Sequence, residues 1–153
     1  MYDVKSVTSE RPTDCGPTCL KMLLSYYGTE IDLLQLIEEC GVGLTGCTGM
    51  DLKKVAKLHG MDLRGFECTG ADIEDDVIFA DRPSICWWRY NHFIICCGAD
   101  ENGRVVICDP DRGRYRMSRA LFRSWFSGIA FFNGKPEDIN EDHAAMLETY
   151  WPF

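Results

Sequence analysis

Between Thr13 and Gly28 the chain reads TDCGPTCLKMLLSYYG, and no other stretch constrains the fold as strongly. If it is helical over about residues 15 to 27, then Cys19, Leu20, Met22, Leu23, Leu24, Tyr26 and Tyr27 occupy nearly every face, with Lys21 and Ser25 as the exceptions. A helix that is apolar all round cannot lie on a surface and must be covered on all sides by the rest of its domain. Its ends are marked as well. Thr13 and Asp14 are N-cap residue types, Pro17 is tolerated in a first turn, and Gly28 is a C-terminal stop. Cys15 opens this helix.

The remainder of the chain must supply the cover. IDLLQLIEEC reads as an amphipathic helix with Leu33, Leu34, Leu36 and Ile37 on its stripe and Gly41 as its stop. TGMDLKKVAKLHG reads as another, opened by Thr48 and Asp51 at capping-box spacing and closed by Gly60. After residue 60 the period changes. MDLRGFE, RPSICWWR, HFIICCGAD, RVVICDPD and GIAFFN are short runs rich in β-branched and aromatic residues, separated by turn chemistry. ADENGR should close a hairpin between strands at residues 92 to 98 and 104 to 108, because Asn-Gly supplies the positive φ of a tight turn. SRALFRSWF reads as a short helix before the last strand. Helices first and strands later predict an α+β fold, N-terminal helices packed on a mostly antiparallel sheet. At 153 residues there is length for one core, which gives a domain at 1–135 and an acidic tail at 136–153.

Composition excludes several functions. No run approaches the ~20 apolar residues needed to span a bilayer, so no membrane insertion is expected. The start, MYDVKSVTSERPTD, lacks the basic and apolar regions of an export signal, which points to a cytoplasmic protein. Nine cysteines, an odd number without an export signal, are then expected as reduced thiols. A net charge of −8 argues against nucleic acid as a partner. The one basic run, RGRYRMSR, reads as a solvated turn and helix start rather than a phosphate site.

Chemistry concentrates on Cys15. A thiol attacks as its thiolate, and the unpaired N–H groups of a helix N-terminus favour negative charge there. Such a nucleophile needs a base, and the base needs a group that fixes its tautomer. His92 alone among the three histidines opens a predicted central strand, and Asp109 ends the next one, so the hairpin would bring them together. The competing readings are a core histidine and an Asp-Pro turn, with Asp111 as substitute for Asp109. Cys19, one helical turn after Cys15, is expected in the core rather than as a resolving thiol. Cys40, Cys47 and His59 lack zinc-finger spacing, and GVGLTG follows a helix where a phosphate loop would follow a strand, so neither a metal nor a cofactor is expected. Trp87, Trp88 and Tyr90, just before His92, are candidates to wall a substrate cleft or to fill the sheet core.

The blocks TDCGPTCLKMLLSYYG, NHFIICCG, VVICDPDRGRYRMS and WFSGIAFF resemble, in order and spacing, the double-glycine leader peptidases of peptidase family C39, from about residue 4 to residue 133. That resemblance implies a papain-like cysteine protease fold with Cys15 as nucleophile, His92 as general base and acid, and Asp109 orienting His92. It implies cleavage of a leader or precursor peptide after small residues through an acyl-enzyme. Members are often fused to bacteriocin-exporting ABC transporters, so a peptide substrate and an ABC exporter are the expected partners. The same triad would serve an acyltransferase, and a catalytically weakened leader-peptide binding module is a further alternative. One position departs from the family. Where its members carry a glutamine six residues before the cysteine, whose amide donates to the oxyanion, this chain has Ser9. Loss of one such donor costs about 10²–10³ in rate in a serine protease.

Overall fold

The computed structural model describes residues 1–139. The expected central helix is α1 (Cys15–Tyr26), preceded by a single 3₁₀ turn at Pro12–Asp14. Every residue of α1 from Cys15 to Leu20 and from Met22 to Leu24 is buried. Gly28, at φ +90°, turns the chain away just after the helix end. Helices α2 (Leu33–Glu39) and α3 (Gly49–Leu58) cover one side of α1. The capping box of α3 forms as its spacing predicts: the Asp51 N–H donates to Thr48 Oγ1 at 3.2 Å, and the Thr48 N–H donates to Asp51 Oδ2 at 2.9 Å. The stripe of α2 is narrower than expected. Leu36 and Cys40 are buried and Leu33 and Ile37 half-buried, whereas Leu34 is exposed, because it sits about 100° around the helix from Leu33.

The other cover is a six-stranded sheet, antiparallel throughout, in the order β1-β6-β2-β3-β4-β5. Its strands are β1 (Leu63–Glu67), β2 (Ser84–Trp88), β3 (His92–Ala99), β4 (Val105–Asp109), β5 (Gly113–Met117) and β6 (Phe126–Asn133). The ADENGR hairpin closes with the Asp100 N–H on Arg104 O and the Gly103 N–H on Asp100 O, Gly103 having φ +77°. Helix α4 (Arg119–Trp125) starts on the Ser118 hydroxyl, which accepts from the Leu121 N–H.

Helices α1, α2 and α3 lie on one face of the sheet. Phe93, Ile95, Cys97, Val106 and Cys108 point toward α1, while Ile94, Cys96, Val105 and Ile107 point the other way. There they meet a π-helical turn at Glu74–Ile78 and Phe122 of α4. Burial on both faces explains why HFIICCG is a continuous apolar run instead of an alternating one.

Two expectations change. The basic run is not a turn and helix start: residues 113–117 form the edge strand β5, with Tyr115 and Met117 alternating with exposed Arg114 and Arg116. Alternation of cations on an edge strand hides the strand signal and blunts the edge. Asp14 does occupy the N-cap position of α1, but its side chain caps nothing and pairs with Arg11 at 2.9 and 3.0 Å. Of the predicted tail, Pro136–Ile139 is described, with Ile139 buried against the far face of the sheet; residues 140–153 lie outside the described residues.

Candidate active site

Three ends of secondary structure meet at one place. α1 packs against β3, and a Cβ placed on Gly16 would lie 3.5 Å from Phe93, so the first turn of α1 and the first residues of β3 share an end of the molecule. β4 runs antiparallel to β3, which carries its C-terminal residue back to the same end. Cys15, His92 and Asp109 are those terminal residues.

His92 Nε2 lies 2.7 Å from Asp109 Oδ1. Its Nδ1 is the nitrogen left for Cys15, which interacts with the ring. Burial works against a charged imidazole, but hydrogen bonding to Asp109 and Cys15, together with their negative charge, overcomes it and pushes the His92 pKa up to about 10. Asp109 is buried, which disfavours its charge; the bonds from His92, from the Asp111 N–H at 2.8 Å and from the Tyr115 hydroxyl at 2.9 Å hold its carboxyl below the ordinary carboxylate range. Asp111, read as the substitute, lies farther off, at 3.7 Å from His92 Nε2 and half exposed.

The turn ahead of His92 is strained. Tyr90 and Asn91 both adopt left-handed backbone, φ 65° and 53°, which costs non-glycine residues roughly 1–3 kcal/mol each. Two cavities flank the histidine. One of about 400 Å³ reaches Cys15 and is walled by Trp87, Phe93, Cys47 and Gly46. The other, of about 250 Å³, lies over the His92–Asp109 pair and is walled by Trp88, Tyr90, Trp125 and Tyr115. Trp87 thus stands on the cysteine side, Trp88 and Tyr90 on the histidine side. Trp88 is also a core residue, packed on Phe122 and Trp125.

Ser9 is turned to another partner. Its N–H and its hydroxyl both face Pro110 O, at 2.8 and 3.4 Å, in the loop after Asp109. Cys19 is wholly buried, and burial pushes its thiol up, as befits a core residue. Cys40 and Cys47 meet, the two thiols within hydrogen-bonding reach, but His59 does not complete a metal-type set with them: its Nε2 bonds Glu39 Oε1 at 2.8 Å, and the metal-type grouping among the described residues is His92, Asp109 and Asp111. Two residues escaped the sequence reading. Tyr115 lies within a run read as a solvated turn and helix start, and the part of Gly16 is visible only in space: its missing Cβ makes room for Cys47 Sγ, which would otherwise lie 2.7 Å away.

A cysteine at the N-terminus of a buried central helix, facing a histidine–aspartate pair on the adjoining antiparallel sheet, defines the class of papain-like cysteine peptidases. Solved structures agree with this architecture. The peptidase domain of Streptococcus ComA, a bifunctional ABC transporter, is 26% identical and superimposes with a TM-score of 0.76, covering 88% of this chain and 99% of that one. A double glycine motif protease from an AMS/PCAT transporter, solved with its leader peptide, is also 26% identical, with a TM-score of 0.78 over 86% of this chain and 91% of that one. Residues 3–138 match the Peptidase C39 family, and the chain belongs to that family. A curated relative, the colicin V secretion/processing ATP-binding protein of Escherichia coli, is 29% identical over 76% of this chain, which spans 16% of that relative's length. Among the described residues no helix is long and apolar enough to cross a membrane.

Proposed function

We propose that this chain is a cysteine endopeptidase that cleaves a leader or precursor peptide after small residues, of Gly-Gly type, with Cys15, His92 and Asp109 as its catalytic set. The single observation that carries this reading is the 2.7 Å bond from His92 Nε2 to the buried Asp109, which leaves the other ring nitrogen to Cys15. An imidazolium beside a thiol favours the thiolate, the attacking form, as do the N–H groups of a helix terminus. The sulfur attacks the scissile carbonyl. His92 then gives its proton to the departing amine, leaving a thioester on Cys15, and afterwards takes a proton from the water that hydrolyses it. The backbone N–H of Cys15 is the oxyanion donor this reading relies on, since the Ser9 hydroxyl faces Pro110. Support for the substrate class comes from the double glycine motif protease solved with its leader peptide. An ABC exporter as working partner is proposed on the same ground, from the secretion/processing relatives.

The test is incubation with a peptide containing a double-glycine junction, with mass spectrometry of the products and of the protein. Cleavage after the second glycine, a transient acyl adduct on Cys15, and loss of both in Cys15→Ala are expected. Uncut peptide under conditions where Cys15 is alkylated no faster than the other cysteines refutes the proposal. Transfer of the acyl group to an added amine in preference to water would instead mark an acyltransferase.

A further inference from the structure

We infer that Tyr115 is a positioning residue for the proposed reaction, its hydroxyl clamping Oδ2 of Asp109 so that Oδ1 stays aimed at His92. The inference rests on the peptidase reading for its consequence, but its geometry stands separately. A carboxylate offers two oxygens, and those of Asp109 are divided. Oδ1 takes His92 Nε2 at 2.7 Å and the Asp111 N–H at 2.8 Å, while Oδ2 takes the Tyr115 hydroxyl at 2.9 Å. Each set of donors fixes one end of the group, so rotation about the Cβ–Cγ bond would break bonds at both.

The strand register makes this contact. On β4 and β5, Asp109 pairs with Gly113 and Ile107 with Tyr115, so Tyr115 is the diagonal neighbour of Asp109 on the same face of the hairpin. An aromatic side chain is long enough to cover that diagonal. Tyr115 also walls the cavity over the His92–Asp109 pair, beside Trp88 and Trp125, and is not among the walls of the cavity that reaches Cys15. Burial and the neighbouring carboxylate push the phenol up from its ordinary value, so the hydroxyl remains a proton donor throughout the working range. What it prevents is visible too. Asp111 stands 3.7 Å from the same His92 nitrogen, and a slackened Asp109 would leave the ring to be shared between two anions, one of them solvated.

Tyr115→Phe removes the hydroxyl and keeps the ring. A hydrogen bond to a buried charged group corresponds to about ten- to hundredfold in an equilibrium or rate, so kcat should fall at least about tenfold while KM stays nearly unchanged. Because the lost bond favoured the charged carboxylate, the Asp109 midpoint should rise by about one pH unit. Carboxyl ¹³C NMR of the full chain reads that midpoint directly, and the acid limb of the cleavage profile should move with it. If Tyr115→Phe leaves both midpoint and kcat in place, or lowers only the melting temperature, Tyr115 merely packs and the inference is overturned. A raised Asp109 midpoint in a protein that cuts no double-glycine peptide in any form keeps the clamp and refutes the peptidase reading instead.

Discussion

Replacing Asp109 by Asn tests the electrostatics of the site more directly than any loss of activity. His92 lies between burial, which disfavours its charge, and two partners that favour it, with the outcome pushed up to about 10 from an ordinary value of 6.5. That difference of roughly 3.5 pH units would correspond to ~5 kcal/mol at ~1.36 kcal/mol each. Partial exposure of the ring and division of the effect between Asp109 and Cys15 bring the share of Asp109 down to about 2–3 kcal/mol. The sign is set by proton linkage. Below pH 6.5 the histidine is protonated in both folded and unfolded chains and its contribution is fully present; as pH climbs toward 10, only the folded chain keeps the proton, and stability is lost. Urea unfolding between about pH 8 and 10 should therefore show the unsubstituted protein losing about 2–3 kcal/mol relative to Asp109→Asn, whose curve levels off about two pH units earlier. Imidazole ¹⁵N NMR should place the His92 midpoint of the variant about two pH units below that of the unsubstituted protein, and cleavage should fall by up to about 10⁴, as for the equivalent change in a serine protease triad. Parallel stability curves, or a variant midpoint still near 10, would show that Asp109 does not hold the proton on His92.

Two further perturbations address the walls of the site. Ser9→Gln should raise kcat by about tenfold or more, because an amide able to reach the oxyanion would replace a hydroxyl turned to Pro110; single-turnover cleavage without gain would mean that another donor already fills the hole. Gly16→Ala puts a methyl group 2.7 Å from Cys47 Sγ and 3.3 Å from Leu52, so the protein should lose about 1–3 kcal/mol in urea despite the better helix propensity of alanine. Adding Cys47→Ala should return at least about 1 kcal/mol of that loss, and additive effects in the double-mutant cycle would place the strain elsewhere.

How far the sequence could be read depended on the range over which each feature is determined. Helix α1 was legible because its burial is written on every face of one continuous segment. The capping box at Thr48 and Asp51 and the Asn-Gly hairpin were legible because each needs only a few adjacent residues. His92 and Asp109 needed one further step, the antiparallel pairing of two neighbouring strands joined by a short turn. Features that depend on distant partners were lost. Asp14 has the composition of an N-cap, but Arg11 takes its carboxylate, and no propensity ranks those two partners. Tyr115 meets Asp109 only through the register of an edge strand whose exposed arginines disguise it. The segment 74–78 covers the far face of the sheet as a π-helical turn, for which the sequence carries no periodic signal.

The same distinction explains why the proposed catalytic groups sit on element ends rather than in loops. A buried helix and a strand apolar on both faces are held by packing that a single substitution does not release, and their termini inherit that rigidity. Cys15 is fixed because Cys19, Leu20, Leu23 and Leu24 cannot leave the core. His92 is fixed because Phe93, Ile94 and Ile95 cannot leave it either. The polar bonds at the site then have little left to do but set the last rotations. For His92 that rotation is set by Asp109, and for Asp109 by the Asp111 N–H and the Tyr115 hydroxyl. Substitutions at this polar end should therefore change proton affinities, rates and the pH dependence of stability, whereas substitutions one residue inward, at Gly16 or Phe93, should lower stability at every pH with little change in proton affinities.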